Sequence, residues 1–536
     1  MVSRISHLHG SIPPFDLKSK VIYFHDWRYV FQGEVGWIDD DGNRLPLMSF
    51  ADHKPSFFKP RDIPWGIEIV PVEAKKTEPV LSPDQTYEPF LGVFGGTLLK
   101  DGGKYRFWYF GRTKDSVQKD LIDGMTTGDW MTSQDAPIDE RSYTRYAESD
   151  DGMNWKFPKL GLYEDDNGSY DNNIAFDRGW GKIYGPGSVF IDPSAKSDQR
   201  YKTIYMDVIS EDVLKSYIDK RSQGSGPDLN VSEWAIAQGG AFAMCGAVSP
   251  DGISWTKLTD PLLIQMTDTT LVCEYDPYRK TYVAYIRDWF FNRRTVGRTE
   301  TDDFNTFPQV EEILWPDPRM KPYEIWYSNA KTRMPDADEY NLMFPVCWDL
   351  YRDRFTVRMA SSPDNFTWNL LPQKPILEPG SSGEWDSGVV FSNQNLVELP
   401  DNKVGILYSG TPFPHKYPRN PSFGAVAWAY WEKGRLVALR SEERGFFSTE
   451  LLLVKGRNLS INCKTLLTGY IKIEVVDLKG EPVKGRTFDD CDPIIGDYLN
   501  KSVTWNGNSD IGVSTNQSVR FRFKMLSADL YDVRFL

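Results

Sequence analysis

The sequence predicts an all-β protein: a five-bladed β-propeller followed by a small, jelly-roll-like β-sandwich. Three observations predict this class. Aromatic residues make up 14% of the 536 residues, and 42 Gly and 35 Pro accompany them, which is typical of short strands joined by tight turns. A hairpin pattern recurs five times along the chain. The chain is also too long for one core, so more than one domain is expected.

Each repeat has an apolar strand, a turn rich in Asp, Gly, Pro or Lys, and a second strand of alternating pattern. The repeats span 95–111, 187–207, 270–288, 342–360 and 395–410. Period-two alternation on both sides of a turn indicates a β-hairpin. Five such inner hairpins predict five four-stranded sheets around a channel. Two large packed sheets are the alternative, but they do not explain the regular repetition.

A second motif follows several of the hairpins. Segments 148–155, 249–255, 301–307 and 362–368 share a Ser or Thr, an acid, a turn and a closing aromatic residue. An acid in such a turn accepts hydrogen bonds from nearby backbone amides while the ring packs beneath it. These segments resemble the Asp-box turn of propeller blades, and we expect their acids to be structural.

The repeats divide the chain into three parts. Residues 1–60 are predicted to supply an N-terminal extension with edge strands, residues 61–430 the propeller, and residues 431–536 a sandwich that braces it. Two insertions interrupt the propeller: a polar loop at 112–141, and a segment at 209–240 with an amphipathic helix.

Charge and composition exclude several classes. The net charge is −13 and the pI is about 5.1, which disfavours nucleic acid, although a local arginine cluster could still hold one sulfate or carboxylate. The mean hydropathy of −0.47 and the lack of a long apolar run predict no membrane span. Of the five scattered cysteines, Cys245, Cys273 and Cys347 lie in apolar strand runs and are predicted to be buried thiols. The first residues lack a signal-peptide pattern, so a cytoplasmic protein and the mature part of an exported one both remain open.

Candidate site residues come from the inner strands, because their first residues reach the mouth of a propeller channel. Three carboxylates on different blades are candidate catalytic groups: Glu88, Asp268 and Asp386. Candidate substrate-binding residues lie nearby, namely Tyr184, Arg287, Glu324, Trp326, Glu384 and Trp385. Arg287 belongs to a cluster with Arg293, Arg294 and Arg298. No cofactor or metal is predicted, because neither His415 nor the N-terminal histidines have a metal-binding spacing.

Several segments resemble the five-bladed glycoside hydrolases of families 32, 43 and 68, and most closely an uncharacterised bacterial family-32-like group with a C-terminal β-sandwich. The resemblance is carried by 147–162, 275–288, 296–304, 383–391 and the tail. It implies three acids around one sugar ring: a nucleophile or base, a proton donor and an orienting group, with pKa values pushed apart. The chain departs from these families in lacking a WMNDPNG-type motif and in having Glu88 where an Asp is expected.

Each candidate also has a structural interpretation. Asp268 could be a turn acid, Glu88 a solvated carboxylate before a strand, Asp386 part of a structural turn, and the arginines partners of acids on neighbouring blades. The leading hypothesis is a glycoside hydrolase that acts on a furanoside or a short oligosaccharide. Glycosyl transfer by the same site and a non-catalytic sugar-binding propeller are the alternatives. The expected partner is a glycoside, and the oligomeric state stays open.

Overall fold

A computed structural model of the chain describes residues 14–33, 36–38, 44–46, 62–82, 90–112, 142–165, 168–176, 184–220, 240–265, 267, 269–316, 318–372, 374–415 and 424–536. The all-β class is confirmed, since strands dominate these residues. Five short strands lie in the N-terminal part: β1 (Val21–Tyr23), β2 (Gly36–Ile38), β3 (Arg44–Pro46), β4 (Glu68–Pro71) and β5 (Lys75–Lys76). Strands β2 and β3 pair only with each other.

The first two sheets of the ring are antiparallel and follow each other in the chain. Sheet one contains β6 (Phe90–Asp101), β7 (Lys104–Arg112), β8 (Ser142–Ser149), β9 (Trp155–Lys156) and β10 (Ile174–Phe176). Sheet two contains β11 (Tyr184–Ile191), β12 (Tyr201–Ser210), β13 (Gly240–Ser249) and β14 (Thr256–Lys257). The predicted helix is α1 (Glu211–Lys220), which follows β12 and buries Tyr217. A 3-10 turn covers Ser197–Gln199.

Sheet three contains β15 (Val272–Asp276), β16 (Thr281–Phe290), β17 (Arg293–Thr301) and β18 (Glu311–Leu314). Sheet four contains β19 (Glu324–Ser328), β20 (Lys331–Met334), β21 (Ala337–Met343), β22 (Val346–Asp349), β23 (Arg354–Val357), β24 (Ala360–Ser362) and β25 (Asn369–Leu370). Its short strands form two antiparallel ladders, β19–β22–β23 and β20–β21–β24–β25, which follow each other along the same hairpins.

The pairing in sheet four differs from the prediction. Segment 342–360 was expected to be the inner hairpin of its blade, but it forms the second one, and the first hairpin is 324–349. The first hairpin turns at Pro335–Asp336. A sequence reading missed it because the turn at 350–353, with Tyr, Arg and Asp, has the stronger hairpin pattern.

Sheet five is completed by a strand from the other end of the chain. It contains β26 (Val389–Ser392), β27 (Val397–Leu399), β28 (Lys403–Thr411) and β29 (Ala425–Glu432). The outer strand is β5, because Lys75 and Lys76 pair with Tyr430 and Ala429. A strand near the start of the chain, β5, thus pairs with β29 and forms the outer edge of sheet five.

Hydrogen bonds between neighbouring sheets link them one after another, as in a propeller, and the count of five blades remains a prediction. They link sheets one and two (Thr97 with Val189), two and three (Ser188 with Cys273), three and four (Tyr285 with Asn329), four and five (Thr332 with Leu396), and five and one (Gln394 with Gly96). The buried Gln394 side chain also donates to the carbonyls of Gly187 and Leu271, so one residue connects four sheets near the axis.

The outer turns have the structural role that the sequence predicted. Asp151 accepts the N–H groups of Met153 and Asn154 at 2.8 and 2.7 Å, and the Trp155 indole donates to the carbonyl of Gly152 at 3.1 Å. In segments 249–255 and 362–368, Asp251 and Asp364 accept backbone N–H groups in the same way. These backbone bonds are the largest cause that lowers the pKa of Asp151, as expected for an ionised turn acid.

The C-terminal residues form one antiparallel sheet of seven strands with help from the N-terminal segment. It contains β30 (Val437–Ser448), β31 (Leu452–Leu453), β32 (Leu459–Val476), β33 (Asp497–Ser502) and β34 (Ser518–Phe535), together with β1 and β4. The long strands shift register between Thr465 and Tyr470, where a bulge bends them. The predicted sandwich is thus hydrogen-bonded as a continuous sheet, and residues 21–23 and 68–71 belong to it. The domain boundaries themselves remain predictions.

The five cysteines are buried and unpaired, which confirms the prediction for Cys245, Cys273 and Cys347 and extends it to Cys463 and Cys491. Within the described ranges, no helix has the length and apolar character needed to cross a membrane.

Candidate functional site

The tip of the β16–β17 hairpin in sheet three carries exposed aromatic rings. Its two-residue turn, Phe291–Asn292, has φ angles of 45° and 61°, and the positive φ at a bulky Phe is uncommon and costs energy. Trp289 is 43% exposed and Phe291 86% exposed. Phe290 stacks on Trp315, which is 56% exposed, with ring centres 4.7 Å apart. We call Trp289, Phe290, Phe291 and Trp315 the aromatic ridge. Exposed rings of this kind are suited to contact the apolar face of a ligand.

Arg294 extends from the same hairpin toward sheet four. Its guanidinium carbon lies 5.5 Å from the ring centre of Trp289, 4.9 Å from that of Tyr327 and 5.9 Å from that of Trp348. Its Nη1 atom is buried and, among the described residues, has no hydrogen-bond partner. The charge is therefore held by aromatic faces alone.

Tyr327 connects this group to sheet five. Its hydroxyl lies 3.2 Å from Nε2 of His415, and both residues are buried. The imidazole also contacts Trp348 and Phe355 edge-on, with ring centres 5.1 and 5.4 Å apart. Sheets three, four and five thus converge in one group of side chains, the mouth cluster, which consists of Trp289, Arg294, Tyr327, Trp348 and His415.

The neighbouring arginines have different environments. Arg287 is buried, its guanidinium carbon lies 5.3 Å from the Trp289 ring centre, and its backbone N–H donates to Thr267 Oγ1 at 3.3 Å. Arg293 donates to the carbonyls of Lys321 and Glu324, so it fixes the start of β19. Arg298 forms an ion pair with Glu300 of its own strand at 2.7 Å, whereas the structural interpretation of the sequence placed the paired acid on a neighbouring blade.

Asp288 has a perturbed carboxyl group next to the ridge. Burial, reinforced by nearby Glu312, raises the pKa of Asp288 to about 6, although its Oδ1 accepts the N–H of Trp289 at 2.9 Å. The Gln265 amide also approaches Asp288 Oδ1 at 3.5 Å. A half-buried carboxyl that keeps its proton up to about pH 6 has the property required of a proton donor.

Two of the three predicted catalytic residues, Glu88 and Asp268, lie outside the described residues. The loop before Asp268 is nevertheless placed, because Gln265 and Thr267 contact Asp288 and Arg287. Tyr184 begins β11, but the structure does not describe its side chain.

The predicted residues of sheet four have structural contacts. Trp326 is 0% exposed, and its indole donates to the carbonyl of Trp315 at 3.0 Å. It therefore offers no open ring face to a sugar, but it does position the backbone of the aromatic ridge. Glu324 starts β19, and its carboxylate accepts the N–H of Lys321 at 2.9 Å.

Asp386, the third predicted catalytic residue, is buried and forms an ion pair with a lysine at the protein surface. Its Oδ2 is 2.7 Å from Nζ of Lys76 and accepts the Tyr408 hydroxyl at 3.0 Å. Trp385 packs on the Tyr408 ring with centres 5.5 Å apart, and Glu384 is exposed. Since Lys76 belongs to β5, Asp386 helps to fasten the strand that completes sheet five.

We therefore expect Asp386→Asn to lower the free energy of unfolding by about 2 kcal/mol, because it leaves the Lys76 charge without its partner. Urea denaturation measures this loss. Glu384→Gln, two residues away and exposed, is the matched control and should change the value by less than about 0.5 kcal/mol. Lost turnover in Asp386→Asn with unchanged stability would contradict the structural role and favour the catalytic prediction.

Sequence reasoning singled out the arginines of this region but missed Asp288 and the aromatic ridge. A signal was present: Trp289, Phe290 and Phe291 stand together at a hairpin turn, where polar residues are usual. The described part of the chain contains no group of three or more His, Cys, Asp or Glu that could hold a metal ion.

Comparisons with known proteins gave matches at the level of structure only. No protein-family model matches the chain, and no curated protein matches it in sequence. The solved structures that it resembles include an N-acetylgalactosamine deacetylase from F. plautii in complex with blood group B trisaccharide (14% identity, 68% of this chain and 95% of the other, TM-score 0.40). They also include a β-1,2-mannobiose phosphorylase from Listeria innocua (13% identity, 67% and 98%, TM-score 0.42).

A family-32 β-fructofuranosidase of Bombyx mori is a third such structure (10% identity, 89% of this chain and 95% of the other, TM-score 0.36). The structural neighbours thus include glycoside hydrolases, the class indicated by the sequence resemblance. At these TM-scores no residue of this chain takes a role from them.

Proposed function

We propose that the chain is a glycoside hydrolase whose site lies at the end of sheet three, between the aromatic ridge and Asp288. The observation that carries the proposal is the combination of exposed rings with a carboxyl whose pKa is raised to about 6. A sugar ring needs an apolar surface on which to stack. Cleavage of its glycosidic bond needs one protonated and one ionised carboxyl group.

In this proposal Asp288 donates its proton to the oxygen of the leaving group as the bond to the sugar carbon breaks. An ionised carboxylate attacks that carbon or removes a proton from the attacking water. Asp268 is the proposed partner, because the loop before it contacts Asp288 and Arg287. Glu88 stays the proposed third acid. Water supplies the hydroxyl group that the sugar gains, and the released proton restores Asp288.

A panel of aryl glycosides, including furanosides, with natural oligosaccharides alongside, tests the proposal. Turnover of at least one substrate is expected, and it should be lost in Asp268→Asn and reduced in Glu88→Gln. Asp302→Asn, in an exposed turn of the same sheet, is the matched control and should keep full turnover. If no member of the panel is cleaved, the hydrolase proposal is wrong; if both acid variants keep full activity, the assignment of Asp268 and Glu88 is wrong.

Glycosyl transfer is the second candidate, since the same displacement can use a sugar hydroxyl in place of water. Product analysis at high substrate concentration separates the two, because transfer yields longer oligomers. A non-catalytic sugar-binding protein would bind oligosaccharides without cleaving them.

A further inference from the structure

Several half-buried and buried arginines of the chain form ion pairs that Arg294 lacks. Arg279 and Arg298 both pair with Glu300, Arg333 pairs with Glu274, and Arg522 pairs with Asp62. Arg294 has no ion pair and no hydrogen bond among the described residues, and one of its nitrogens is fully buried. A buried charged donor without an acceptor destabilises the folded state. The unpaired Nη1 of Arg294 therefore lowers the stability of the protein.

The three rings around Arg294 determine which part of it can bind. Cation–π contacts with Trp289, Tyr327 and Trp348 hold the charge beside aromatic rings, but rings do not accept the in-plane hydrogen bonds of a guanidinium. The guanidinium is therefore fixed in direction, and because Nη1 is buried, a ligand would bind the more open part of this half-buried side chain. The planar fork of a guanidinium matches two oxygens of a carboxylate or a phosphate.

Nearby charges favour an anion further. Arg287 and Arg293 lie on the same hairpin, which also carries the carboxyl group of Asp288, and Glu324 of sheet four binds a backbone amide of its own loop. The Trp289 ring, 43% exposed, lies beside Arg294, so a sugar stacked on the ridge could present an acidic group to the guanidinium.

We propose that the substrate site binds an oxyanion through Arg294, either the carboxylate of an acidic sugar or inorganic phosphate. This inference rests on the proposed function, because it places the anion in the proposed substrate site. Its test measures binding and does not require the protein to cleave a glycoside. Arg294 is then a binding residue of the mouth cluster, and Tyr327 and Trp348 hold it in position.

Thermal shift of the full chain tests the proposal without requiring turnover. Galacturonate, glucuronate and inorganic phosphate are the probes, and galactose and glucose are their neutral counterparts. At least one anionic probe should raise Tm more than the neutral sugars, and titration should show about tenfold or greater weakening of its binding in Arg294→Met. Arg352→Met removes the same charge from an exposed turn of sheet four and should bind as the unchanged protein does.

The two sources of the oxyanion give different results. A shift with the uronates alone identifies a sugar carboxylate, a shift with phosphate alone identifies the free anion, and a shift with both shows that the site accepts either carrier. Arg294→Lys keeps the charge but not the fork, so it should weaken binding even if the methionine variant does not fold.

The proposal is overturned if no anionic probe exceeds its neutral counterpart, or if Arg294→Met and Arg294→Lys bind as Arg352→Met does. Failure of the hydrolase proposal looks different: the anion would still bind through Arg294 while no glycoside is cleaved. Cleavage of neutral glycosides without any anion effect would contradict the present inference alone.

Discussion

Replacing Asp288 by asparagine is expected to lower kcat by about 10²–10⁴-fold, because the amide cannot donate a proton to the leaving oxygen. In the unchanged protein, kcat/KM should fall as the pH rises above about 6, since burial raises the pKa of Asp288 to about that value. Steady-state rates on a cleaved glycoside between pH 4 and 8 measure both effects. The loss should be smallest for glycosides whose leaving group departs without a proton.

The same substitution should change stability in a pH-dependent way. The folded pKa of Asp288 lies above the ordinary value of 3.8, so the folded state holds the proton more tightly and becomes less stable as the pH rises through this window. Asp288→Asn should therefore gain stability relative to the unchanged protein between pH 4 and 7, by about 1 kcal/mol after allowance for solvent screening. A constant difference across this range would contradict the raised pKa.

Replacing Arg522 by methionine is expected to cause the largest loss of stability, about 3–5 kcal/mol. Arg522 is 1% exposed and binds Asp62 through two bonds of 2.6 and 3.1 Å and Glu474 through one of 3.1 Å. The substitution leaves two buried carboxylates without their cation. Urea denaturation measures the change in the free energy of unfolding.

Arg457→Met is the control for this prediction, because Arg457 forms an exposed pair with Asp510 and its loss should cost less than about 1 kcal/mol. The comparison also tests the architecture. Asp62 precedes β4, so Arg522 ties the N-terminal segment to the C-terminal sheet. Equal losses in the two variants would show that this connection contributes little.

Local patterns predicted the fold to a large extent. The alternation in 95–111 and 270–288 indicated inner hairpins that the structure contains, because period two is a property of the strand itself. The partners of short, distant strands could not be predicted in this way. Lys75–Lys76 has no strand pattern, and it becomes a strand only because β29 offers it an edge.

The site was less predictable, because its chemistry depends on contacts between sheets. Asp386 and Trp326 had the residue types of a sugar site, but the ion pair of one and the burial of the other arise from packing that the sequence does not show. The raised pKa of Asp288 has the same origin, since burial is its main cause. The sequence showed Arg294 as part of an arginine cluster. It did not show that Nη1 of this side chain has no hydrogen-bond partner among the described residues.

The position of the bound sugar can be seen in a crystal of the protein soaked with an oligosaccharide from the substrate screen. We expect a sugar ring stacked on Trp289 or Trp315, with a glycosidic oxygen within hydrogen-bonding distance of Asp288. A sugar bound elsewhere, for example on the C-terminal sheet, with the aromatic ridge left free, would contradict it.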